Sequence, residues 1–182
     1  KSFDGICTIG GDGTIHEAID GLMRSGKSKY LPLGVFPGGS GNSFCNDLSI
    51  YSDISALSNI IDFKTSPIDI MKIKHVDHIN YSANIIGWGI ASEANILAEK
   101  LRFLGGIRYS IASLICILRL VPKEMNFIIG GEVITGKGLL FLALNTKYTG
   151  KGMRMAPKAK LNDGLIDIIL FRKASKLRVF KI

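Results

Sequence analysis

A chain of 182 residues, 47% hydrophobic and 21% charged, is long enough to bury an apolar core in one domain or two small ones, which excludes a disordered polypeptide. Its longest apolar run, Ile111 to Val121, is broken by Ser113 and Arg119 and is too short to span a bilayer. Cys7, Cys45 and Cys116 are an odd number of widely spaced cysteines in apolar surroundings, which predicts buried thiols in the cytoplasm rather than disulfides or a metal site.

The net charge of +8 is uneven: residues 1–64 carry 5 basic and 7 acidic side chains, residues 65–150 carry 9 and 6, and residues 151–182 carry 9 and 2. A basic C-terminal third suits phosphate or an anionic lipid surface. Aromatic residues make up 8% and show no stacking pattern, so nucleic acid is not expected as a partner. Lys1 stands a few residues ahead of an apolar strand with no initiator Met or signal peptide, so upstream elements of a larger fold are expected.

Gly5 to Ile9 predicts a short buried strand, Gly10-Gly11-Asp12-Gly13-Thr14 a turn, and Ile15, Ala18, Ile19, Leu22 and Met23 a helix with one apolar stripe. Leu31 to Phe36 predicts a second buried strand, followed by Pro37-Gly38-Gly39-Ser40-Gly41-Asn42 and a shorter helix around Phe44 to Leu48. Strand, glycine-rich turn and helix thus recur, an α/β pattern in which turns at strand ends gather on one side of the sheet. Beyond Pro67, Ile68 to Lys74 is strand-like, and Ile79 to Ile85 alternates apolar and polar residues as a strand with one buried face. Helical spacing returns at Ala94, Leu97, Ala98, Leu101 and Leu104, stops at Gly105-Gly106, and resumes from Ile107 to Val121. Met125 to Ile129, a Gly130-Gly131 turn, Glu132 to Thr135, Gly138 to Asn145 and Leu165 to Phe171 predict further strands. The change of character places a domain boundary near residue 65.

Gly10, Gly11 and Gly13 let the backbone approach a polyphosphate closely, and the helix that follows supplies partial positive charge. Thr14 with Glu17 three residues on predicts a capping box, a structural role for Glu17 beside a catalytic one. Asp12 reads equally as a turn residue and as a functional carboxylate. The second glycine-rich turn, with Gly39, Ser40, Gly41 and Asn42, could complete a nucleotide cleft. Asn95, Glu99 and Arg102 fall at i, i+4 and i+7 and are expected to share one helix face, either as a solvated Glu99–Arg102 pair or as phosphate ligands joined by Arg108.

Four ordered blocks then decide between these alternatives: Gly10 to Glu17, Pro37 to Asn42, Trp88-Gly89 with Glu99 to Tyr109, and Ala156-Pro157 with Asn162-Asp163-Gly164. Over nearly its whole length the chain resembles the diacylglycerol kinase and sphingosine kinase superfamily. The Ser-Gly-Asn turn and the E-x-x-R-x-L-G-x-x-R block look more like the sphingosine kinase branch. The resemblance implies a partial Rossmann-like nucleotide-binding domain over residues 1–65. It also implies a partial β-sandwich lipid-binding domain with an inserted helical pair over residues 66–182.

ATP and Mg2+ would bind in the cleft, and the lipid would enter the second domain. Asp12 would match the catalytic base, while Gly10, Gly11, Gly13, Thr14, Glu17, Gly39, Ser40, Gly41, Asn42, Glu99, Arg102 and Arg108 would match the nucleotide site. Asn95 stands where sphingosine kinases carry an Asp that holds the lipid head group, and it offers no charge to an ammonium. Glu93 is the second candidate for the head group, although two residues away on a helix it points elsewhere. No metal ligand is assigned. Further strands before residue 1 and an acidic nucleotide-site element after residue 182 are implied as well.

The expected activity is phosphoryl transfer from ATP to a hydroxyl of a sphingoid base or diacylglycerol-type lipid, in a cytoplasmic protein with peripheral membrane contact. The alternatives are an NAD kinase-like enzyme, which shares the first block, and an anionic-membrane-binding module whose kinase site has decayed.

Overall fold

A computed structural model describes residues 3–119, 121–150 and 152–172. The elements run β1 (Ile6–Gly10), α1 (Asp12–Arg24), β2 (Leu33–Pro37), α2 (Ser43–Asp47), α3 (Asp53–Ile61), β3 (Met71–Lys74), β4 (Ile79–Ser82) and β5 (Ile85–Gly89). They continue with α4 (Ile90–Lys100), a 3-10 turn (Arg102–Ile107), α5 (Arg108–Leu118), β6 (Lys123–Ile129), β7 (Glu132–Gly138), β8 (Leu140–Leu144), β9 (Tyr148–Thr149), β10 (Met153–Arg154) and β11 (Asp167–Phe171). The result is the expected mixture of an α/β first part and a mainly β second part with an inserted helical pair. Two compact units are formed, Lys1–Ile85 with Leu144–Asp167, and Ile86–Ala143 with Ile168–Ile182.

In the first unit β1 and β2 pair in parallel, from Ile6 opposite Leu33 to Gly10 opposite Pro37, and α1 makes the crossover between them. The apolar stripe read from the sequence is the face that α1 buries. Ile15 and Ile19 pack with Val35, Phe44, Cys45, Ile50, Ala56 and Ala83 in one core, each large side chain contributing roughly 1.5–3 kcal/mol by leaving water. α1 is also pinned to β4, because the Tyr81 N–H donates to Asp20 Oδ1 at 2.7 Å while Arg24 Nε donates to Asp20 Oδ2 at 2.7 Å.

α3 has no counterpart in the sequence expectations. Ser52 and Ser55 cap it reciprocally, a box built from two serines rather than the Ser/Thr with Glu/Gln spacing that marks a helix start. The strand expected over residues 79–85 is two strands, since the Asn84 N–H donates to Ser82 Oγ and Ser82 Oγ donates to the Ile85 carbonyl. Those local bonds turn the chain and compete with a continuous ladder.

The sequence reading puts one cut near residue 65; the compact units each take chain from two stretches. Residues 66–85 belong with the first unit through the Asp20–Tyr81 bond, and residues 144–167 return to it through Asn145. Asn145 is buried, and its Nδ2 donates to the carbonyls of Asp69 and Ala83 at 2.8 and 3.0 Å.

In the second unit β8 lies between β11 and β5, and β6 and β7 form an antiparallel hairpin closed by Gly130 and Gly131. Both glycines have positive φ, 59° and 87°, as a two-residue hairpin turn of this hand requires. Phe127 stacks on Phe141 with centroids 4.6 Å apart and meets Trp88 edge-on at 5.6 Å. α4 and α5 pack on each other. Among the described residues no helix is long and apolar enough to cross a membrane. Of the basic C-terminal third, Lys151, Lys173, Lys176, Arg178 and Lys181 lie outside the described residues.

Candidate functional site

The two glycine-rich turns meet backbone to backbone in the first unit. β1 ends at Gly10, Gly11 is the N-cap of α1, and Asp12 is the first helical residue. The Gly38 N–H donates to the Gly10 carbonyl at 2.9 Å. A Cβ on Gly38 would lie 3.0 Å from the Gly10 nitrogen, and one on Gly39 would overlap the Gly11 backbone. Only glycine permits this approach.

Asn42 closes the second turn from the left-handed conformation (φ 51°): its Oδ1 accepts from the Gly39 N–H and its Nδ2 donates to the Gly39 carbonyl, both at 2.8 Å. Ser40 and Gly13 are exposed. Both of Asn42's amide bonds go to the turn itself, so they hold its shape.

Asp12 joins the turns. Its Oδ2 accepts from the Ser43 N–H at 3.1 Å and its Oδ1 from the Phe44 N–H at 2.9 Å. A carboxylate at the first turn of a helix is favoured by the orphan amides and the dipole, and here it comes from another element. Asp12 is therefore a bridging acceptor at the start of one helix that caps the next, rather than a turn residue with an unusual φ. Its charge, after burial, is the second cause that pushes the Cys45 thiol up to about 11.

α1 has no side-chain cap. The capping box expected of Thr14 and Glu17 is not formed, because the helix begins two residues before Thr14 and both side chains are exposed. The N–H groups of the first turn of α1 thus remain without a side-chain acceptor, next to a turn lacking side chains at Gly10, Gly11 and Gly13. Such a cradle fits a phosphate.

In the second unit α4 stops at Lys100, so Arg102 begins the 3-10 turn instead of continuing the face of Asn95 and Glu99. The expected single face is not formed. Glu99 nevertheless gathers both arginines, with Oε2 2.7 Å from Arg102 and Oε1 3.6 Å from Arg108. The turn at Gly105 (φ 56°) brings the chain back so that Arg108 can reach, and Arg108 also lies 4.9 Å from the Tyr109 ring centroid. The Arg102 side chain is 73% exposed and that of Arg108 21%, so Arg108 is the better-held cation. Glu93 pairs with Lys123 at 2.5 Å, which leaves exposed Asn95 as the uncharged member of the expected head-group pair.

A cavity of about 660 Å3 in the first unit is lined by apolar residues including Ile19, Met23, Leu33, Ile60 and Phe63, and no residue of either glycine turn lines it. The turns, where Asp12 and the backbone amides converge, are the candidate site. Residues that short-range patterns did not mark complete the site. Ser43 Oγ donates to the Gly150 carbonyl at 2.5 Å, and Asp47 accepts the N–H groups of Lys147 and Tyr148 at 3.0 and 3.1 Å.

Comparison with known proteins divides the chain once, between residues 73 and 84. Residues 1–73 match the diacylglycerol kinase catalytic domain, and residues 84–182 match the YegS C-terminal NAD kinase beta sandwich-like domain. A protein of Bacillus subtilis (strain 168) named diacylglycerol kinase is 32% identical over 179 residues, covering 96% of this chain and 57% of that one. The Shewanella frigidimarina (strain NCIMB 400) protein named "Probable lipid kinase YegS-like" is 32% identical over 168 residues, 91% of this chain and 54% of its own length. The crystal structure of a diacylglycerol kinase from Bacillus anthracis str. Sterne superposes with a TM-score of 0.68 at 26% identity, covering 98% of this chain and 57% of that one. The chain spans little more than half the length of these relatives.

Proposed function

This chain belongs to the family of diacylglycerol kinase catalytic domains with a YegS-type C-terminal domain, and on that premise we propose that the protein transfers the terminal phosphoryl group of ATP to a lipid hydroxyl. The observation that carries this is Asp12, a carboxylate held between two abutting glycine turns beside the uncapped start of α1. The turn amides from Gly10 to Thr14 bind ATP phosphates, with Glu17 and the turn from Gly39 to Asn42 alongside. Glu99, Arg102 and Arg108, which cluster within the second unit, are assigned to phosphate, the arginines offsetting its charge.

Asp12 orients the lipid hydroxyl and takes its proton as the hydroxyl oxygen bonds to the γ-phosphorus. The bond to the bridging oxygen breaks, and ADP leaves with the electron pair. Among the described residues no cluster of three or more His, Cys, Asp or Glu side chains could hold a metal.

For the acceptor we favour a diacylglycerol-type lipid over a sphingoid base. Asn95 is uncharged and Glu93 is already paired with Lys123, so neither is poised to take an ammonium. Peripheral membrane contact is supported by exposed Phe103 and Ile107 on the 3-10 turn, Leu114 on α5 and Val121 beyond it, with exposed Lys100 and Arg119 nearby in sequence.

The test is transfer of label from γ-labelled ATP by the complete protein to diacylglycerol, sphingosine, ceramide and NAD. Labelled phosphatidic acid as the main product is expected. Label appearing in NAD alone, or vesicle binding without any transfer, would overturn the assignment.

A further inference from the structure

We infer that Ser43 is a positioning residue for Asp12, coupling its carboxylate to the turn between β9 and β10; this rests on the transfer role proposed above. α2 has five residues, too few to sustain a helix by its own hydrogen bonds. Its N-cap, Asn42, spends its side chain on Gly39, so α2 has no side-chain cap of its own and two of its first amides go to Asp12. The direction of the Asp12 carboxylate is therefore set by wherever α2 is held.

Lys147, Tyr148 and Gly150 hold it at both ends. Ser43, fully buried, donates through Oγ to the Gly150 carbonyl, and Asp47 takes the amides of Lys147 and Tyr148. Gly41 fills the remaining space, since a Cβ there would sit 3.1 Å from Asp12 Oδ2 and 3.2 Å from the Gly150 oxygen. Gly150 and Gly152 both have positive φ, 54° and 78°, a turn shape that other residues resist. The Gly150 carbonyl that receives Ser43 also accepts the Gly152 N–H at 2.9 Å.

Ser43→Ala keeps the N–H that Asp12 uses and removes only the hydroxyl. The start of α2 then loses its anchor, and the carboxylate shifts with it. A misplacement of this kind affects turnover more than ground-state nucleotide binding, because proton acceptance depends on a near-attack geometry.

Turnover, KM for ATP and melting temperature are to be measured for Ser43→Ala, Asp47→Asn, Asp12→Asn and Ser43→Ala/Asp12→Asn in the complete protein. Ser43→Ala should lower kcat roughly 10- to 100-fold with KM for ATP within about twofold. Asp47→Asn, acting at the far end of α2, should give the same split with a smaller loss, and it decides the matter if Ser43→Ala does not fold. In the double variant the Ser43 substitution should lower residual turnover no further, since the carboxylate it positions is gone.

A kcat at the wild-type value for both Ser43→Ala and Asp47→Asn overturns the positioning role. So does a fall matched by a rise in KM for ATP, or one wholly accounted for by the unfolded fraction. If Asp12→Asn itself retains turnover, the transfer role fails instead.

Discussion

Asp12 has two duties, and a substitution there separates them. Both of its oxygens accept helix amides, so Asp12→Asn replaces one acceptor with an NH2 group facing an N–H. A hydrogen bond to a charged group contributes roughly 1.5–3 kcal/mol, and the melting temperature should fall accordingly. Removing the base should in addition lower kcat about 10²- to 10⁴-fold, a loss that persists at temperatures where the variant is fully folded. Calorimetry and a transfer assay on the same preparation check both effects. Near-normal turnover in a destabilised variant would leave Asp12 with the capping duty alone.

α1 shows how an element is anchored by one side chain of the right charge. Burial raises the pKa of Asp20, but the Tyr81 N–H and the Arg24 guanidinium outweigh it and hold the carboxyl below its ordinary value of 3.8. A group depressed in this way stabilises the fold above its unfolded pKa and loses that contribution as pH falls through the folded value. Asp20→Asn should therefore cost roughly 1 kcal/mol at neutral pH, with the gap to wild type closing below about pH 4. Urea unfolding at neutral pH and near pH 3 tests this. A gap that stays constant would show that shape, not charge, joins α1 to β4.

Each unit has its own candidate phosphate-binding feature. Asp12 and the glycine turns belong to the first, and Glu99 with its two arginines belongs to the second. Arg108, the less exposed of the pair, is held by Glu99 and lies against the Tyr109 ring, which limits the entropy lost when it meets a phosphate. Arg108→Ala should raise KM for ATP roughly tenfold and change KM for lipid far less, the size expected for one charge-assisted bond. Should only the lipid KM respond, Arg108 would serve the acceptor rather than the donor.

What the amino-acid sequence determined by itself are the features governed by a few neighbouring residues. Glycine runs between strand and helix, the Ile15–Ile19 stripe, the Gly130-Gly131 turn and the break at Gly105 all follow from backbone dihedral limits and side-chain periods. Only the tertiary structure decided the partners of those residues. The Asp12–Ser43 and Ser43–Gly150 bonds join residues 31 and 107 positions apart, a separation that no local period encodes. Thr14 and Glu17 suggest a cap that does not form because α1 starts at Asp12, and Arg102 leaves its predicted face because α4 stops at Lys100, yet it keeps Glu99. Where a side chain has both a local and a distant partner within reach, packing of the whole chain selects between them, because burying an unpaired polar group costs more than any local preference returns.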